Sequence, residues 1–338
     1  GGFILSDEPF FQQLPIYAFY QRAIESGDSF LWNPQSFSGF PSFVGFYAFF
    51  SPTAWLAFRT LPLIHAFNWS LALSFVLAAL ITAAFLRNLG VSRLGSCLAA
   101  FAYGITSIIF IASLIAANTA VALPLLFLVF ERLARSPSWQ TVLVAALATA
   151  WVWLSAGHQW MVYAIIAAVA FTLFSAWHRS RVAGAGSRWR FALGTTLIAA
   201  LALAIGTAVG LAQLLPSAEY ARLSVRSGGL SYEAASIDPL LPTDAIRYLL
   251  PFFRLPLGVP FGSSGAEPFL YLGAIPLFFA VAGFWSRNPY ARFFLGLFIV
   301  AVLLAIIYSP LFWLTTKLPV LSYFRVPSRW MMVGSFAA

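Results

Sequence analysis

Charged residues are scarce in this chain: they make up 9% of its 338 residues, whereas hydrophobic residues make up 61%. Ordinary soluble domains are about one quarter charged, so this scarcity excludes a water-soluble globular domain. Mean hydropathy is +0.86, and apolar runs of about 20 residues, the length of helix that crosses a bilayer core, recur along the chain. The composition therefore predicts an all-α, polytopic integral membrane protein.

Cysteine is almost absent as well, because Cys97 is the single one and it lies inside an apolar run. One cysteine supplies neither a disulfide pair nor a cysteine-rich metal cluster. The sequence also lacks a Gly-rich nucleotide loop and an ordered Ser-His-Asp set, which argues against ATP or a nucleotide-sugar as direct donor. The net charge is +9, but basic residues are spread over short loops between apolar runs, so nucleic acid is not a predicted partner.

Eight complete spans are predicted, and a ninth begins after Ser328. Their bounds are Ala66 to Asn88, Leu94 to Ala117, Asn118 to Ala134, Ser138 to Ala156, Gln159 to Trp177, Phe191 to Leu215, Pro268 to Ser286 and Arg292 to Ser309. The stretch Thr53 to Ile64 is too short and too interrupted by proline to count. Because the chain begins at Gly1 and ends at Ala338 within an apolar stretch, we expect residues 1–338 to be a fragment of one membrane domain that lacks an upstream helix and a C-terminal region.

Charge differs strongly between the two sets of loops that these spans create. One set holds ten arginines and one acid, Glu131, for a net charge of +9, while the other holds nine basic and nine acidic residues. Short loops rich in Arg and Lys stay in the cytoplasm. The asymmetry therefore predicts that residues 1–51, 216–267 and 310–327 lie outside the cytoplasm at the cell membrane, where long loops can build a site.

The first external loop, residues 1–51, carries the adjacent carboxylates of Asp7 and Glu8 within Ser6-Asp7-Glu8-Pro9. Such a pair can supply a general base for an acceptor hydroxyl, or can help to hold a divalent cation. The alternative is a solvated loop in which Ser6 or Asp7 caps a helix. No other cofactor is predicted.

Further candidates lie in the other external segments. His158 at the end of a span can orient a phosphate or titrate near neutral pH, although a histidine there can also serve packing alone. Arg325 and Arg329 flank a proline at the start of the last span, and two guanidinium groups at a helix start suit a lipid phosphate. The alternative is that both arginines reach lipid headgroups. The loop 216–267 is long enough to form a lid or surface helices, and Arg226 is its favoured contact.

An ordered set of short segments resembles the bacterial YfhO family, membrane proteins assigned to the GT-C glycosyltransferase fold. The likeness runs over essentially the whole chain, in the order: an acidic residue with Gln12 and Pro15, Leu31-Trp32-Asn33-Pro34, Gly39-Phe40-Pro41, Ala156-Gly157-His158-Gln159, Leu211-Ala212-Gln213-Leu214-Leu215-Pro216 with Ser224 and Arg226, Tyr271-Leu272-Gly273 and Phe324-Arg325-Val326-Pro327-Ser328-Arg329. The Asp7-Glu8 pair is also similar to the Asp-Glu of protein mannosyltransferases and aminoarabinose transferases.

The resemblance implies an inverting, hexosyltransferase-class GT-C enzyme that moves a sugar from a polyprenyl-phosphate donor to a cell-envelope glycan, lipid or protein outside the cytoplasm. It implies that Asp7 is the base, with Glu8 beside it, and that substrate is bound by Gln12, Trp32, Asn33, His158, Gln159, Arg226, Arg325 and Arg329. Two other functions stay open. A flippase or transporter of lipid-linked sugars, or a non-catalytic envelope-assembly protein, would share the same spans, although coupled transport usually places ionisable groups inside them.

Overall fold

A computed structural model describes residues 11, 13–36, 38–44, 49–105, 114–155, 157–182, 188–240 and 274–338. The predicted residues Asp7, Glu8 and Gln12 lie outside the described residues, as do Tyr271 to Gly273 and most of the predicted loop 216–267. Within the described ranges the chain is helical and has no β-strand; its one pairing of extended residues is the bridge between Asn33 and Phe40. The prediction of an all-α membrane protein is confirmed at this level.

Thirteen α-helices are found in the described residues. In chain order they are α1 Leu14–Ser26, α2 Pro52–Thr60, α3 Leu63–Asn88, α4 Arg93–Ile105, α5 Leu114–Arg135, α6 Trp139–Leu154, α7 His158–Val182, α8 Arg188–Arg222, α9 Tyr232–Ala235, α10 Ala274–Ala282, α11 Pro289–Ala305, α12 Pro310–Thr315 and α13 Met331–Ala337. Short 3₁₀ turns at Leu321–Tyr323 and Pro327–Trp330 lead into α13.

Four of these helices, α3, α5, α7 and α8, are long and apolar enough to cross a membrane. A fifth candidate is the pair formed by Pro276–Trp285 and Pro289–Ala305, which is bent by 116° at its break. Helix α6 is apolar but has 16 residues, about 24 Å at 1.5 Å per residue, which is shorter than a hydrocarbon core of about 30 Å. The described residues thus support four of the eight predicted spans, and they give at most one span where Pro268 to Ser286 and Arg292 to Ser309 were predicted as two.

Two predicted boundaries are wrong. Helix α5 begins at Leu114, so Leu114 to Ala117 belong to the same helix as Asn118. Helix α8 continues through Pro216 to Arg222, so the loop begins seven residues later than predicted. Proline is tolerated near the end of a membrane helix because neighbouring groups satisfy the freed backbone carbonyl.

Helix α5 forms the centre of the bundle, since 89% of its most apolar window is buried. Helix α8 packs closely on α6 through small residues: a Cβ atom on Gly206 would stand 2.4 Å from the carbonyl oxygen of Ala146, and one on Gly210 would stand 2.6 Å from Cβ of Trp153. Without a hydrophobic drive between membrane helices, such close backbone approach is what stabilises their association.

The predicted first external loop contains a helix, α1, that packs on α2 and the start of α3 through aromatic rings. Tyr17 stacks on Phe58 at a centroid distance of 4.6 Å, and Tyr20 stacks on Phe49 at 4.4 Å. Oε1 of Gln13 accepts a hydrogen bond from the backbone N–H of Leu114 at 3.2 Å. Helix α1 is therefore fixed to its neighbours, and Gln13 joins its start to the first turn of α5.

All loops with the concentrated arginines meet at one end of the bundle, which we call the short-loop end. Arg179 near the end of α7 forms an ion pair with the fully buried Glu131 near the end of α5. Arg135 donates to the carbonyl oxygen of Asn88, which ends α3, and His178 lies edge-on to Tyr290 of α11 at 5.4 Å. The opposite end, which holds α1 and residues 223–240 and 306–330, is called the long-loop end.

Candidate functional site

At the long-loop end, residues 320–330 approach the first turn of α7 in a strained conformation. Val326 has φ 63° and ψ 73°, although it is β-branched and precedes proline, and each of these properties disfavours that region. Val320 also has a positive φ, 69°. Backbone strain of this kind costs on the order of 1–3 kcal/mol per residue and is concentrated at functional sites.

Gln159 holds this strained segment through its side-chain amide, which is 5% exposed. Its Nε2 donates to the carbonyl oxygen of Arg325 at 2.5 Å and to the hydroxyl of Tyr163 at 3.0 Å. Its Oε1 accepts from Nη1 of Arg329 at 2.9 Å. One buried side chain on α7 therefore fixes both the backbone at Arg325 and the guanidinium of Arg329.

Arg329 is also held by an aromatic ring. Its guanidinium carbon lies 5.0 Å from the centroid of Trp160, within the range of a cation–π contact. The neighbouring Trp330 stacks on Tyr163 at a centroid distance of 3.6 Å. These contacts orient Arg329, and its side chain is half-buried, so part of it stays accessible.

Arg226 brings a third guanidinium to the same place from the segment after α8. Its Nη1 donates to the carbonyl oxygen of Tyr323 at 3.3 Å. Burial lowers the pKa of Arg226, and so do the positive charges of Arg325 and Arg329. Within the described part of the chain, both charges that act on Arg226 are thus positive, and the three side chains form an arginine cluster.

The segment that carries Arg226 is fastened to the rest of the long-loop end. The backbone N–H of Leu230 donates to the carbonyl oxygen of Ser322 at 2.8 Å, and that of Leu240 donates to the carbonyl oxygen of Ala305 at 3.0 Å. The hydroxyl of Tyr232 donates to the carbonyl oxygen of Ile307. Residues 223–240 therefore cover the start of α12 and the turn that precedes Arg325.

The first loop reaches the same end through the last turns of α8. Phe40 lies edge-on to Tyr220 at 6.0 Å, and the hydroxyl of Ser217 donates to the carbonyl oxygen of Val44 at 3.4 Å. The predicted residue Trp32 is 55% exposed and covers Gly39. It is an exposed aromatic surface at the long-loop end.

Asn33, another predicted contact, stabilises the loop internally. It is 2% exposed; its Oδ1 accepts from the N–H of Gln35 at 2.9 Å and its Nδ2 donates to Ser36 at 3.2 Å. Its backbone pairs with Phe40 in both directions, at 2.7 and 2.9 Å. These bonds account for an asparagine at this position, and its role in substrate binding stays a prediction.

Two buried polar atoms beside the arginine cluster have no hydrogen-bond partner among the described residues. They are Nε2 of His158, next to Gln159, and the hydroxyl of Ser328, next to Arg329. Ser328 is 0% exposed. Unsatisfied polar atoms in a buried position cost free energy, so both atoms are available to bond to a polar group that enters this region.

The structure thus brings together four of the predicted site residues, Gln159, Arg226, Arg325 and Arg329, with His158 adjacent. The predicted acids Asp7 and Glu8, and Gln12, lie outside the described residues, and in the remainder no group of three or more His, Cys, Asp or Glu could hold a metal ion. Tyr163 and Trp160 were missed because they lie within an apolar span. The spacing of Gln159 and Tyr163, four residues apart on a helix, was the available signal.

Comparison with known proteins identifies no relative: no family model, curated protein or solved structure matches this chain. The resemblance to the YfhO family accordingly stays a prediction. Three guanidinium groups that converge on one place can bind an anion with several oxygen acceptors, such as a phosphate.

Proposed function

We propose that this protein is a membrane glycosyltransferase of the YfhO type with a GT-C fold, which transfers a sugar from a polyprenyl-phosphate donor to a cell-envelope acceptor outside the cytoplasm. The observation that carries the proposal is the arginine cluster of Arg226, Arg325 and Arg329 at the long-loop end. The cluster lies where spans end and loops begin, so a lipid phosphate at the bilayer surface could reach it with its hydrocarbon tail still in the membrane.

The charges of the cluster match the leaving group of such a reaction. The phosphodiester of a polyprenyl-phosphate sugar carries one negative charge, and it gains a second as the bond from the anomeric carbon to the phosphate oxygen breaks. Guanidinium donors fixed in advance stabilise charge that develops during reaction. Gln159 and Trp160 hold Arg329 in place before the donor arrives.

The acceptor is activated by Asp7 in this proposal. The acceptor hydroxyl forms a bond to the anomeric carbon and its proton passes to the carboxylate of Asp7, while the lipid phosphate leaves from the opposite face. The configuration at the anomeric carbon is therefore inverted. Asp7 precedes Gln13 by six positions, and Gln13 is bound to α5 at the long-loop end.

The side of the membrane follows from the arginines of the short-loop end. That end holds ten arginines, and its one acid, Glu131, is buried in an ion pair with Arg179. The positive-inside rule then places the long-loop end outside. The same ion pair bears on the transporter alternative: a buried acid in a span is a candidate for ion coupling, but Glu131 is already neutralised by Arg179 and hydrogen-bonded by Ser175 at 2.5 Å.

Transfer by the purified full-length protein tests the proposal directly. We would incubate it in detergent with a labelled polyprenyl-phosphate sugar and envelope acceptors, and expect label in the acceptor. Arg325→Gln should raise the donor KM by roughly 10-fold or more, since a hydrogen bond to a charged group contributes about 1.5–3 kcal/mol. Arg22→Gln is the matched control, because Arg22 is an exposed arginine at the same end that contacts Gln35. If the protein instead moved the lipid between the leaflets of proteoliposomes without transferring the sugar, the proposal would be wrong and the protein would be a flippase.

A further inference from the structure

An apolar crevice opens between α7 and α8 on the surface of the bundle, on the short-loop side of Gln159. Its volume is about 90 Å³, and Leu126 and Phe130 of α5 also line it. Nine of its eleven lining residues are apolar and the other two are threonines. Val169 and Leu173 of α7 line it while remaining 38% and 48% exposed, so the crevice faces hydrocarbon and not the protein interior.

The crevice is continuous with a pair of tryptophans at the short-loop end. On α7, Trp177 follows Leu173 by four residues and therefore lies on the same face. On α8, Trp189 precedes Thr196, which lines the crevice, by seven residues, or about two turns. The two indole rings meet at a centroid distance of 5.3 Å and close the gap between the helices. Tryptophan is favoured at the headgroup level of a bilayer.

Arginines lie directly beyond the tryptophans. Arg181 continues the face of α7, and its guanidinium carbon is 4.8 Å from the ring centroid of Trp177. Arg188 precedes Trp189 and is exposed. Arg181 is eight residues beyond Leu173, or about 12 Å along the helix axis. The order along this surface is thus apolar crevice, aromatic rings and cations, which is the order of acyl chain, interface and phosphate in a bilayer leaflet.

We propose that this surface, formed by Leu173, Trp177, Arg181, Arg188, Trp189 and Ala200, is a binding site for an anionic phospholipid. One acyl chain enters the crevice, and the phosphate of the headgroup is bound between Arg181 and Arg188. Basic pockets between spans are where anionic headgroups bind. Arginines are in excess at this end, and its one acid, Glu131, is paired with Arg179. The surface is therefore positively charged and attracts anionic lipids. The site is independent of the proposed transferase activity.

The test is lipid binding to the full-length protein, measured by native mass spectrometry with phosphatidylglycerol, phosphatidylcholine or polyprenyl phosphate added singly. We expect phosphatidylglycerol to bind in preference to phosphatidylcholine, whereas polyprenyl phosphate should bind at the arginine cluster and be unaffected by changes at this second site. The double variant Arg181→Gln with Arg188→Gln should weaken it by roughly 30-fold, from a factor of about 5 for each arginine near an anionic headgroup. Arg93→Gln, an exposed arginine of α4 at the same end, is the matched control and should bind as the unaltered protein does.

A variant in the crevice distinguishes a lipid bound at this site from lipids that are attracted non-specifically by the positive charge. Ala200→Phe fills the crevice and should reduce binding of phosphatidylglycerol while every arginine stays in place. Equal binding of phosphatidylcholine, unchanged binding by the double arginine variant or by Ala200→Phe, or selective binding of polyprenyl phosphate that the double variant abolishes would each overturn the proposal. The thermal unfolding temperature of each variant in detergent verifies that it is folded.

Discussion

Arg329 donates a hydrogen bond from Nη1 to Oε1 of Gln159 at 2.9 Å, which ties the segment before α13 to the first turn of α7 across 170 positions of sequence. The amide of Gln159 serves three partners at once, because its Nε2 reaches the carbonyl oxygen of Arg325 and the hydroxyl of Tyr163. A buried amide with this many partners fixes a single geometry for the residues around it.

Gln159→Leu should therefore weaken binding of a polyprenyl phosphate by about tenfold, since one hydrogen bond to a charged group contributes about 1.5–3 kcal/mol. The leucine fills a similar volume but cannot orient Arg329. Tyr163→Phe removes one partner of Gln159 and leaves Arg329 bonded, so it is the matched control and should bind nearly as tightly. Binding by native mass spectrometry checks this, and equal affinity in the leucine variant would show that Gln159 does not position the arginine.

The charge environment of Arg226 predicts a pH-dependent variant. Burial and the positive charges of Arg325 and Arg329 lower the pKa of Arg226, but an arginine starts high enough to stay charged. A lysine starts at about 10.4, and the same surroundings favour its neutral form and lower its pKa. Because the pKa of this lysine is lowered, its ammonium group loses its positive charge at a lower pH than an ordinary lysine does.

Arg226→Lys should thus bind polyprenyl phosphate well at about pH 8 and severalfold more weakly at about pH 10, where a lysine with a lowered pKa is largely neutral. The unaltered protein should change little over this interval. Lys317→Arg is a control for alkaline effects elsewhere in the protein. If binding of polyprenyl phosphate changed with pH in the same way in the lysine variant and in the unaltered protein, the placement of Arg226 in the arginine cluster would be contradicted.

The helices that correspond to long apolar runs could be predicted from the sequence. The start of α7 was placed within one residue because Gly157 and His158 interrupt two apolar runs. The start of α5 is Leu114, four residues before the predicted start at Asn118, because Leu114 to Ala117 are apolar like the residues around them and were assigned to the preceding span. The strained φ of Val326 is also invisible in sequence, since a valine before proline favours extended backbone.

The arginine cluster was predictable only in part. Arg325 and Arg329 stand out as cations beside a proline, and their position at a span end indicated a phosphate site. The convergence of Arg226 on them depends on how residues 223–240 fold back over Tyr323, a contact about a hundred positions apart in sequence. Its partner Trp160 looked like any other aromatic residue in an apolar span.

Close packing of α8 on α6 gives a stability prediction. Gly206→Ala would place a methyl group 2.4 Å from the carbonyl oxygen of Ala146, and overpacking of this kind costs about 1–3 kcal/mol. Gly194→Ala in the same helix meets nothing within 4 Å, and it should be neutral or slightly stabilising because alanine favours helix. Thermal unfolding in detergent compares the two, and equal unfolding temperatures would contradict the packing described for α6 and α8.

The sidedness can be mapped with single cysteines. In a Cys97→Ser background, which removes the exposed native thiol, Ser29→Cys lies exposed at the long-loop end and Ser136→Cys lies exposed at the short-loop end. A membrane-impermeant maleimide added to intact cells should label the first variant and reach the second only after permeabilisation. Labelling of Ser136→Cys alone in intact cells would invert the topology and remove the proposed site from the outer face.

The most direct test of the account is sugar transfer by Asp7→Asn, assayed with the full-length protein beside Asp28→Asn. Asp28 is an exposed acid of the same loop that accepts a hydrogen bond from Ser26 at 2.7 Å, so its loss controls for charge. If Asp7 is the base, Asp7→Asn lowers the transfer rate by about 10² to 10⁴ at unchanged donor binding, and Asp28→Asn transfers at the rate of the unaltered protein. Transfer by Asp7→Asn at that same rate would contradict the assignment.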